Sequence, residues 1–294
     1  MLIRDKTAFV YDVEVFPNYF GVTVKNTESG SHRCYEIYWG GNNMPEIAKL
    51  FLDKRIYFVS YNGIHYDRPL ISYILLNYEA LIKLPVWEIN QKLKTFSDLI
   101  VNSETSASWK KYKYANLYDD LDLLAMRWSQ KLRVSLKALQ VTMEYKNVEE
   151  YDGDFNKPLP KEDLQKVRDY NLNDVESTEE LLNRSLKDIE LRLAIEDEYH
   201  ISALSKDGVN LGMEILKVRY LEKTGQTWDE IKDLRSPCDN LAFKDIIFPY
   251  IKFTTPVLIN LLNELKTLVI NPDDNSFERK FTLGGIEHTF GMGG

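Results

Sequence analysis

The chain has 294 residues, of which 44% are hydrophobic, and its formal net charge is −8 at pH 7. This length predicts one large domain with an appendage or two domains, and the apolar content excludes a chain without a folded core. The acidic balance excludes a protein that coats nucleic acid through a basic surface, but it does not exclude an enzyme whose bound cations neutralise a phosphate substrate.

Cysteine usage and the apolar runs indicate the compartment. Cys34 and Cys238 are isolated thiols that lack the spacing of a disulfide framework or a zinc site. Residues 1–6 contain no apolar core of a secretion signal, and no apolar run is long enough to span a bilayer. We therefore expect a soluble, cytoplasmic protein that makes no contact with a membrane.

Strand patterns dominate the first 60 residues, and helical patterns lie between and after them. The predicted strands are 7–14, 19–25, 33–39 and 56–60, and the predicted helices are 44–53 and 67–76. Turn signals separate the first three strands, which are expected to form an antiparallel meander. Asp67 is the expected N-cap of the second helix, with Pro69 in its first turn.

The middle of the chain is less regular, with helical pieces through residues 79–114. A further strand is predicted at 118–125, and helices at 135–143 and 160–203. Antiparallel strands followed by strand–helix alternation predict an α/β fold, in which helices cover the faces of a mixed sheet.

A turn signal at residues 205–208 predicts a domain boundary. Residues 1–205 then form the α/β domain. Residues 206–294 form a small, mostly helical extension, because helical patterns recur at 209–223 and 256–266.

Asp12 and Glu14 lie two residues apart in the first long predicted strand, within the run AFVYDVE at residues 8–14. Because strand side chains alternate, both carboxylates face the same side. Adjacent acids beside apolar neighbours repel each other unless a cation binds between them. The pair is therefore a candidate metal site, and two solvated acids at a strand end are the alternative.

Two further motifs contain acids. Asn62, Tyr66 and Asp67 belong to NGIHYD at residues 62–67, at a predicted turn from strand to helix, where functional groups of α/β proteins concentrate. Tyr170 and Asp174 lie four apart on a predicted helix and point the same way. Alone, each motif has a plain alternative as a helix cap, a turn former or a surface pair. Together they favour four converging acids, a site for two divalent cations that hydrolyses phosphodiesters.

In their order and spacing, these three motifs resemble the DEDD superfamily of 3′→5′ exonucleases. The tyrosine at residue 170 is typical of the tyrosine subclass, and Asp169 stands where the histidine subclass carries its base. The second motif is most similar to that of proofreading domains of family B DNA polymerases. The resemblance runs from about residue 7 to 185 and implies an RNase H-like fold for the first domain.

The resemblance also implies a role for each site residue. Asp12 bridges two Mg²⁺ or Mn²⁺ ions, and Glu14 and Asp174 complete the site of the ion that activates water. Asp67 holds the second ion, and Tyr170 aims the attacking water. The reaction it implies is hydrolysis of the terminal phosphodiester at a DNA 3′ end.

Substrate contacts are predicted around these acids. Asn62 is a candidate contact to the 3′-terminal nucleotides, and Phe16 a candidate for stacking on a base. Lys110, Lys111 and Lys113 alternate with aromatic residues, a pattern that suits single-stranded DNA and equally suits an edge hairpin. Further acids at residues 119, 120 and 122 are interpreted as strand-end acids, and His65 as a loop histidine that faces solvent.

The glycine-rich segment at residues 284–294 resembles, more weakly, the one that precedes the first palm motif of phage-type polymerases. The expected partners are thus a primer 3′ end, a polymerase region and other replication proteins, in a bacterial host cytoplasm if the gene is of phage origin. An exoribonuclease remains an alternative, because the sequence does not separate DNA from RNA. A non-catalytic binding module on the same fold is another alternative, although none of the four acids is missing.

Overall fold

The computed structural model describes residues 1–102, 107–128, 134–234, 240–271 and 278–291. Cys238 and the last three residues of the glycine-rich segment lie outside the described residues. The chain divides into two compact units, Met1–Lys223 and Thr224–Gly294. The domain assignment with a boundary near residue 205 stays a prediction.

The described residues of the first unit form a seven-stranded mixed sheet. Its strands are β1 (Leu2–Ile3), β2 (Lys6–Phe16), β3 (Tyr19–Asn26), β4 (His32–Tyr38), β5 (Gly41–Asn42), β6 (Ile56–Ser60) and β7 (Asp120–Asp122). They are hydrogen-bonded in the order β5–β4–β3–β2–β6–β7, with β1 on β2. Antiparallel pairing joins β2 through β5, whereas β2, β6 and β7 are parallel. The predicted α/β mixed sheet and its antiparallel meander are therefore confirmed.

Helices flank this sheet. They are α1 (Met44–Phe51), α2 (Asp67–Leu76), α3 (Tyr78–Leu81), α4 (Val86–Asn102), α5 (Ala107–Lys113), α6 (Leu123–Arg127), α7 (Leu136–Thr142), α8 (Leu164–Arg184), α9 (Leu186–Tyr199) and α10 (Gly208–Thr224). The predicted helical region that extends to about residue 203 consists of α8 and α9, which are separated at Ser185.

Strand β2 positions the candidate site because its side chains alternate between two layers. Tyr11 and Val13 pack with α1, α2 and α4 in one apolar cluster. Val10 packs in a second cluster with Val175 of α8. Asp12 and Glu14 share the side of Val10, so they lie beneath α8.

The predicted strand at residues 118–125 is too long. Asp122 ends β7 and caps α6, because its carboxylate accepts the backbone N–H groups of Leu124 and Ala125. The cap turns the chain into a helix before the apolar run is complete.

The lysine-rich segment near residue 110 is a helix and not an edge hairpin. Trp109 and Tyr112 are buried on one face of α5, three residues apart, which anchors the helical turn. At the start of α2, Tyr66 is the N-cap and Asp67 is the first helical residue, one position from the prediction. The Asp67 side chain is consequently free of a capping role.

The second unit combines helices with strands. Its described elements are α11 (Trp228–Ile231), β8 (Leu241–Ala242), α12 (Phe243–Ile246), α13 (Pro256–Thr267), β9 (Val269–Ile270), β10 (Glu278–Leu283) and β11 (Ile286–Gly291). The pairs β8–β9 and β10–β11 were not indicated by the helical pattern. Gly284 and Gly285 have positive φ angles of 61° and 80°, as a two-residue hairpin turn between β10 and β11 requires. None of the described helices combines the length and apolar composition that crossing a bilayer requires.

Candidate metal centre

Three acids from two distant parts of the sequence lie close together beneath α8. One carboxylate oxygen from each of Asp12, Glu14 and Asp174 lies within 4.8 Å of the others. Strand alternation brings Asp12 and Glu14 to one face, and α8 packs against β2 and β3 above them. Glu14 and Asp174 are buried, whereas Asp12 is partly exposed. The arrangement gathers carboxylate oxygens of the kind that hard divalent cations prefer.

Asp67, the first residue of α2, lies near the same acids. Only 3% of the residue is exposed, and its Oδ1 is buried without a hydrogen-bond partner among the described residues. Its charge raises the pKa of both Asp12 and Glu14, so it lies within electrostatic reach of them. It is not part of the group of three whose oxygens lie within 4.8 Å.

The pKa values of all four carboxyl groups are raised. Burial, followed by the charges of Asp174 and Asp67, raises the pKa of Glu14 from 4.5 to about 8. Burial, followed by the charge of Asp122, raises the pKa of Asp67 from 3.8 to about 8. Burial is also the largest cause for Asp12 and Asp174, which both shift upward. Such crowding favours either protons or cations between the oxygens, so the donor set fits Mg²⁺ or Mn²⁺.

Tyr170 stands next to these acids. It lies one turn before Asp174 on α8, and its hydroxyl lowers the pKa of the Asp174 carboxyl group. Burial, followed by the charges of Asp174 and Glu14, raises the Tyr170 pKa well above 10. The phenol therefore stays protonated near neutral pH and is a hydrogen-bond donor at the edge of the site. Asp169, its neighbour, is exposed.

Lys137 is a site residue that the sequence pattern did not reveal. Its Nζ lies 2.5 Å from Asp174 Oδ1 and 4.5 Å from the centre of the Tyr170 ring. Gln140, three residues later on α7, donates to the same Asp174 oxygen at 3.2 Å. The spacing of a cation and an amide on one helix face was the available signal, but it is common on solvated helices.

Asp122 holds the second motif in place. Its two carboxylate oxygens accept the N–H groups of Asn62 and Ile64, each at 3.0 Å, in addition to those that begin α6. Asn62 has a φ of 62°, a left-handed conformation that asparagine tolerates. Because its oxygens are used by backbone donors, Asp122 is a positioning residue and not a cation ligand.

Phe16, which was predicted to stack on a base, lies within an aromatic cluster. Phe16 is 1% exposed and is stacked on Phe155, with 4.8 Å between ring centres, so its ring offers no free face to a base. It also contacts Tyr151, which in turn contacts Tyr170. Phe16 therefore packs against the aromatic ring that contacts Tyr170.

The three lysines of α5 differ in environment. Lys110 and Lys111 are exposed, whereas Lys113 is buried and its Nζ lies 3.1 Å from Nδ1 of His65. Burial lowers the pKa of Lys113. His65, expected to face solvent, is partly buried in this contact. Lys110 and Lys111 are consequently the two with accessible charge.

Comparisons with protein-family models, with curated proteins and with solved structures gave no match. The chemistry of the site is therefore inferred from its own residues. These residues provide converging carboxylate oxygens, and the Tyr170 phenol and the Lys137 ammonium group lie beside them.

Proposed function

We propose that this chain is a metal-dependent 3′→5′ exonuclease that hydrolyses the terminal phosphodiester of single-stranded or mispaired DNA. The observation that carries the proposal is the convergence of Asp12, Glu14 and Asp174, whose oxygens lie within 4.8 Å although 162 positions separate the first from the last. Carboxylates that have no shared role on a protein surface are usually far apart, because their charges repel each other. Buried acids that converge instead are typical of a site that binds cations.

The fold supports the same proposal. In an RNase H-like fold, an antiparallel meander precedes parallel strands, and the order β5–β4–β3–β2–β6–β7 is compatible with this arrangement. The three motifs that resemble a DEDD exonuclease of the tyrosine subclass lie on β2, at the start of α2 and on α8. We assign the catalytic domain to this fold on these two grounds.

Each site residue has a proposed task. Asp12, Glu14 and Asp174 would hold one Mg²⁺ or Mn²⁺ ion, and Asp12 together with Asp67 would hold the second. When bound, such ions supply a water of lowered pKa and stabilise the charge on the attacking and leaving oxygens. The Tyr170 hydroxyl orients the water, since it remains protonated and lies beside Asp174. Lys137 limits repulsion among the acids before cations bind.

The partners follow from the reaction. The substrate is a primer 3′ end or free single-stranded DNA, and the natural context is proofreading beside a polymerase region and other replication proteins in the cytoplasm. Asn62 belongs to the second motif and is partly exposed, and it is the proposed contact to the terminal nucleotides.

The test is nuclease activity of the purified chain on single-stranded DNA labelled at the 5′ end. We expect stepwise shortening from the 3′ end and release of nucleoside monophosphates with Mg²⁺ or Mn²⁺, and no reaction with EDTA. Asp169→Asn, which removes an exposed acid of α8 outside the cluster, is the matched control for Asp174→Asn.

Three outcomes would contradict the proposal. Nuclease activity that persists in EDTA, or in an Asp174→Asn variant prepared in parallel with the wild type, would show that the metal centre is not the source of the activity. A clear preference for RNA of the same sequence would assign the chain to the exoribonucleases. Absence of cleavage with retained DNA binding would assign it to the non-catalytic modules.

A further inference from the structure

Asn171 is a buried amide that is hydrogen-bonded to Asp12 and lies near Glu14, the other acid of the first motif. It lies on α8 next to Tyr170 and is 2% exposed. Its Nδ2 donates to Asp12 Oδ2 at 2.6 Å, and the amide also lowers the pKa of Glu14. Its Oδ1 accepts the backbone N–H of Thr23 at 3.1 Å. The amide thus joins α8 to two neighbouring strands.

The position of Thr23 makes this contact specific. Thr23 on β3 is the strand partner of Asp12 on β2. The Asn171 side chain therefore binds two paired residues at once, Thr23 through its carbonyl oxygen and Asp12 through its amino group. If the amide were rotated by half a turn, its oxygen would face the acids and its amino group would face an N–H donor. Both contacts would then be repulsive, so only one orientation satisfies the hydrogen bonds.

This orientation has a consequence for cation binding. The hydrogen bond from the amide to Asp12 Oδ2 restrains rotation of the carboxylate, and it leaves Oδ1 and a second lone pair of Oδ2 for cations. A neutral donor also brings two acids together without adding a charge that would compete with the cation. Hydrogen bonds from outside a ligand set orient metal ligands, and their loss costs about 10–100-fold in metal affinity or activity.

We infer that Asn171 is a positioning residue that sets the Asp12 and Glu14 carboxylates for divalent cation binding. The inference deepens the proposed function and rests on it for its kinetic consequence. Its binding consequence stands independently of any nuclease activity. The residue itself does not touch the substrate or the reacting atoms in this assignment.

The test compares two asparagine variants of the same helix in the full chain. Asn171→Leu removes the amide at similar volume. Asn173→Leu is the control, because Asn173 is also buried on α8 but its Nδ2 has no hydrogen-bond partner among the described residues. Mn²⁺ affinity is measured by calorimetric titration, together with kcat and KM for single-stranded DNA and the melting temperature without metal.

We expect Asn171→Leu to bind Mn²⁺ about 10–100-fold more weakly and to lose kcat by a similar factor, with KM for DNA unchanged. Asn173→Leu should keep the wild-type values. If the role of Asn171 were purely structural, Asn171→Leu would lower the melting temperature but leave the Mn²⁺ affinity of the folded protein unaltered. If Asn171→Leu does not fold, as judged by circular dichroism, Asn171→Ala is measured in its place.

The two proposals fail in different ways. If the wild type binds Mn²⁺ but cuts no DNA, the nuclease function is wrong, and the binding comparison still decides the role of Asn171. If the wild type cuts DNA and either variant of Asn171 binds Mn²⁺ as tightly as the wild type, the positioning role is wrong. If the wild type binds no Mn²⁺, both are overturned.

Discussion

Lys137 and Asp174 form an ion pair across α7 and α8, with 2.5 Å between Nζ and Oδ1. The ammonium group opposes the rise in the pKa of Asp174, and it lowers the pKa of Asp12 and Glu14 as well. A fixed positive charge therefore stands beside the crowded acids, and it reduces their repulsion when no cation is bound.

The first prediction concerns this ion pair. Lys137→Met keeps most of the apolar part of the side chain but removes its charge, so the metal-free protein should lose roughly 1–3 kcal/mol of unfolding free energy. Mg²⁺ should restore part of the loss, because the cation replaces the missing positive charge. The measurement is denaturant unfolding with EDTA and with Mg²⁺.

The control for this prediction is Lys146→Met, which removes an exposed lysine. It should change the free energy of unfolding by less than about 0.5 kcal/mol. Equal losses in the two variants would mean that Lys137 has no special role near the acids.

The second prediction is the pH dependence of stability without metal. Because the pKa of Glu14 is about 8 in the folded protein and 4.5 ordinarily, the folded state holds the proton more tightly than the unfolded state. The stabilisation from this group is complete below pH 4.5 and is lost as the pH rises to about 8. Asp67, whose folded pKa is also about 8, acts in the same direction.

Melting curves between these pH values should therefore show falling stability in EDTA for the wild type and a smaller fall for Glu14→Gln. The stabilisation by Mg²⁺ should grow over the same range, since cations compete with protons for the carboxylates. Parallel pH profiles of the two proteins would contradict the assignment of this titration to Glu14.

Part of the site could be predicted from local periodicity. The strand period of two placed Asp12 and Glu14 on one face, and the helix period placed Tyr170 beside Asp174, as the structure has them. These relations involve two to four residues along the chain, so the sequence contains them directly. The same is true of the strands of the meander, whose turn residues and alternation are local.

The residues that were missed act across the fold. Lys137 is 37 positions from Asp174, Asn171 is 159 positions from Asp12, and Asp122 is 60 positions from Asn62. Their side-chain types suit many solvated surfaces, and only tertiary packing gives them partners. Phe16 was misplaced for a related reason, because its partner Phe155 lies in a loop whose packing on β2 has no periodic signal.

The third prediction ranks two site residues. Asp12→Ala should lose the most activity, since Asp12 alone is proposed to contact both cations. Tyr170→Phe should lose less, about 10²–10³-fold in kcat at most, because it removes one hydrogen bond to the water and leaves the ligands in place. Single-turnover rates at saturating Mg²⁺ measure both. If the two variants were equally inactive, the division of roles between them would be wrong.

The fourth prediction concerns the accessible lysines of α5. Lys110 and Lys111 changed together to Ala should weaken binding to single-stranded DNA and flatten its salt dependence, because fewer counterions are released on binding. Lys113→Ala should change the salt slope less, since Lys113 is buried against His65. Binding is measured in Ca²⁺ at several salt concentrations. Unchanged slopes in the double variant would remove α5 from the DNA-binding surface.

The last prediction concerns the form of the substrate. The acids lie beneath α8 and are largely buried, so a 3′ end has to enter as an unpaired strand. A matched duplex end must first be unpaired and unstacked, which costs a few kcal/mol, whereas a mismatched end costs less. Single strands should therefore be cut fastest, mispaired 3′ ends next and paired ends slowest, and the difference should narrow as temperature rises. Initial rates on three oligonucleotides that share one 3′ sequence measure this order. Equal rates on paired and unpaired ends would contradict a proofreading role and leave the metal chemistry of the site unaffected.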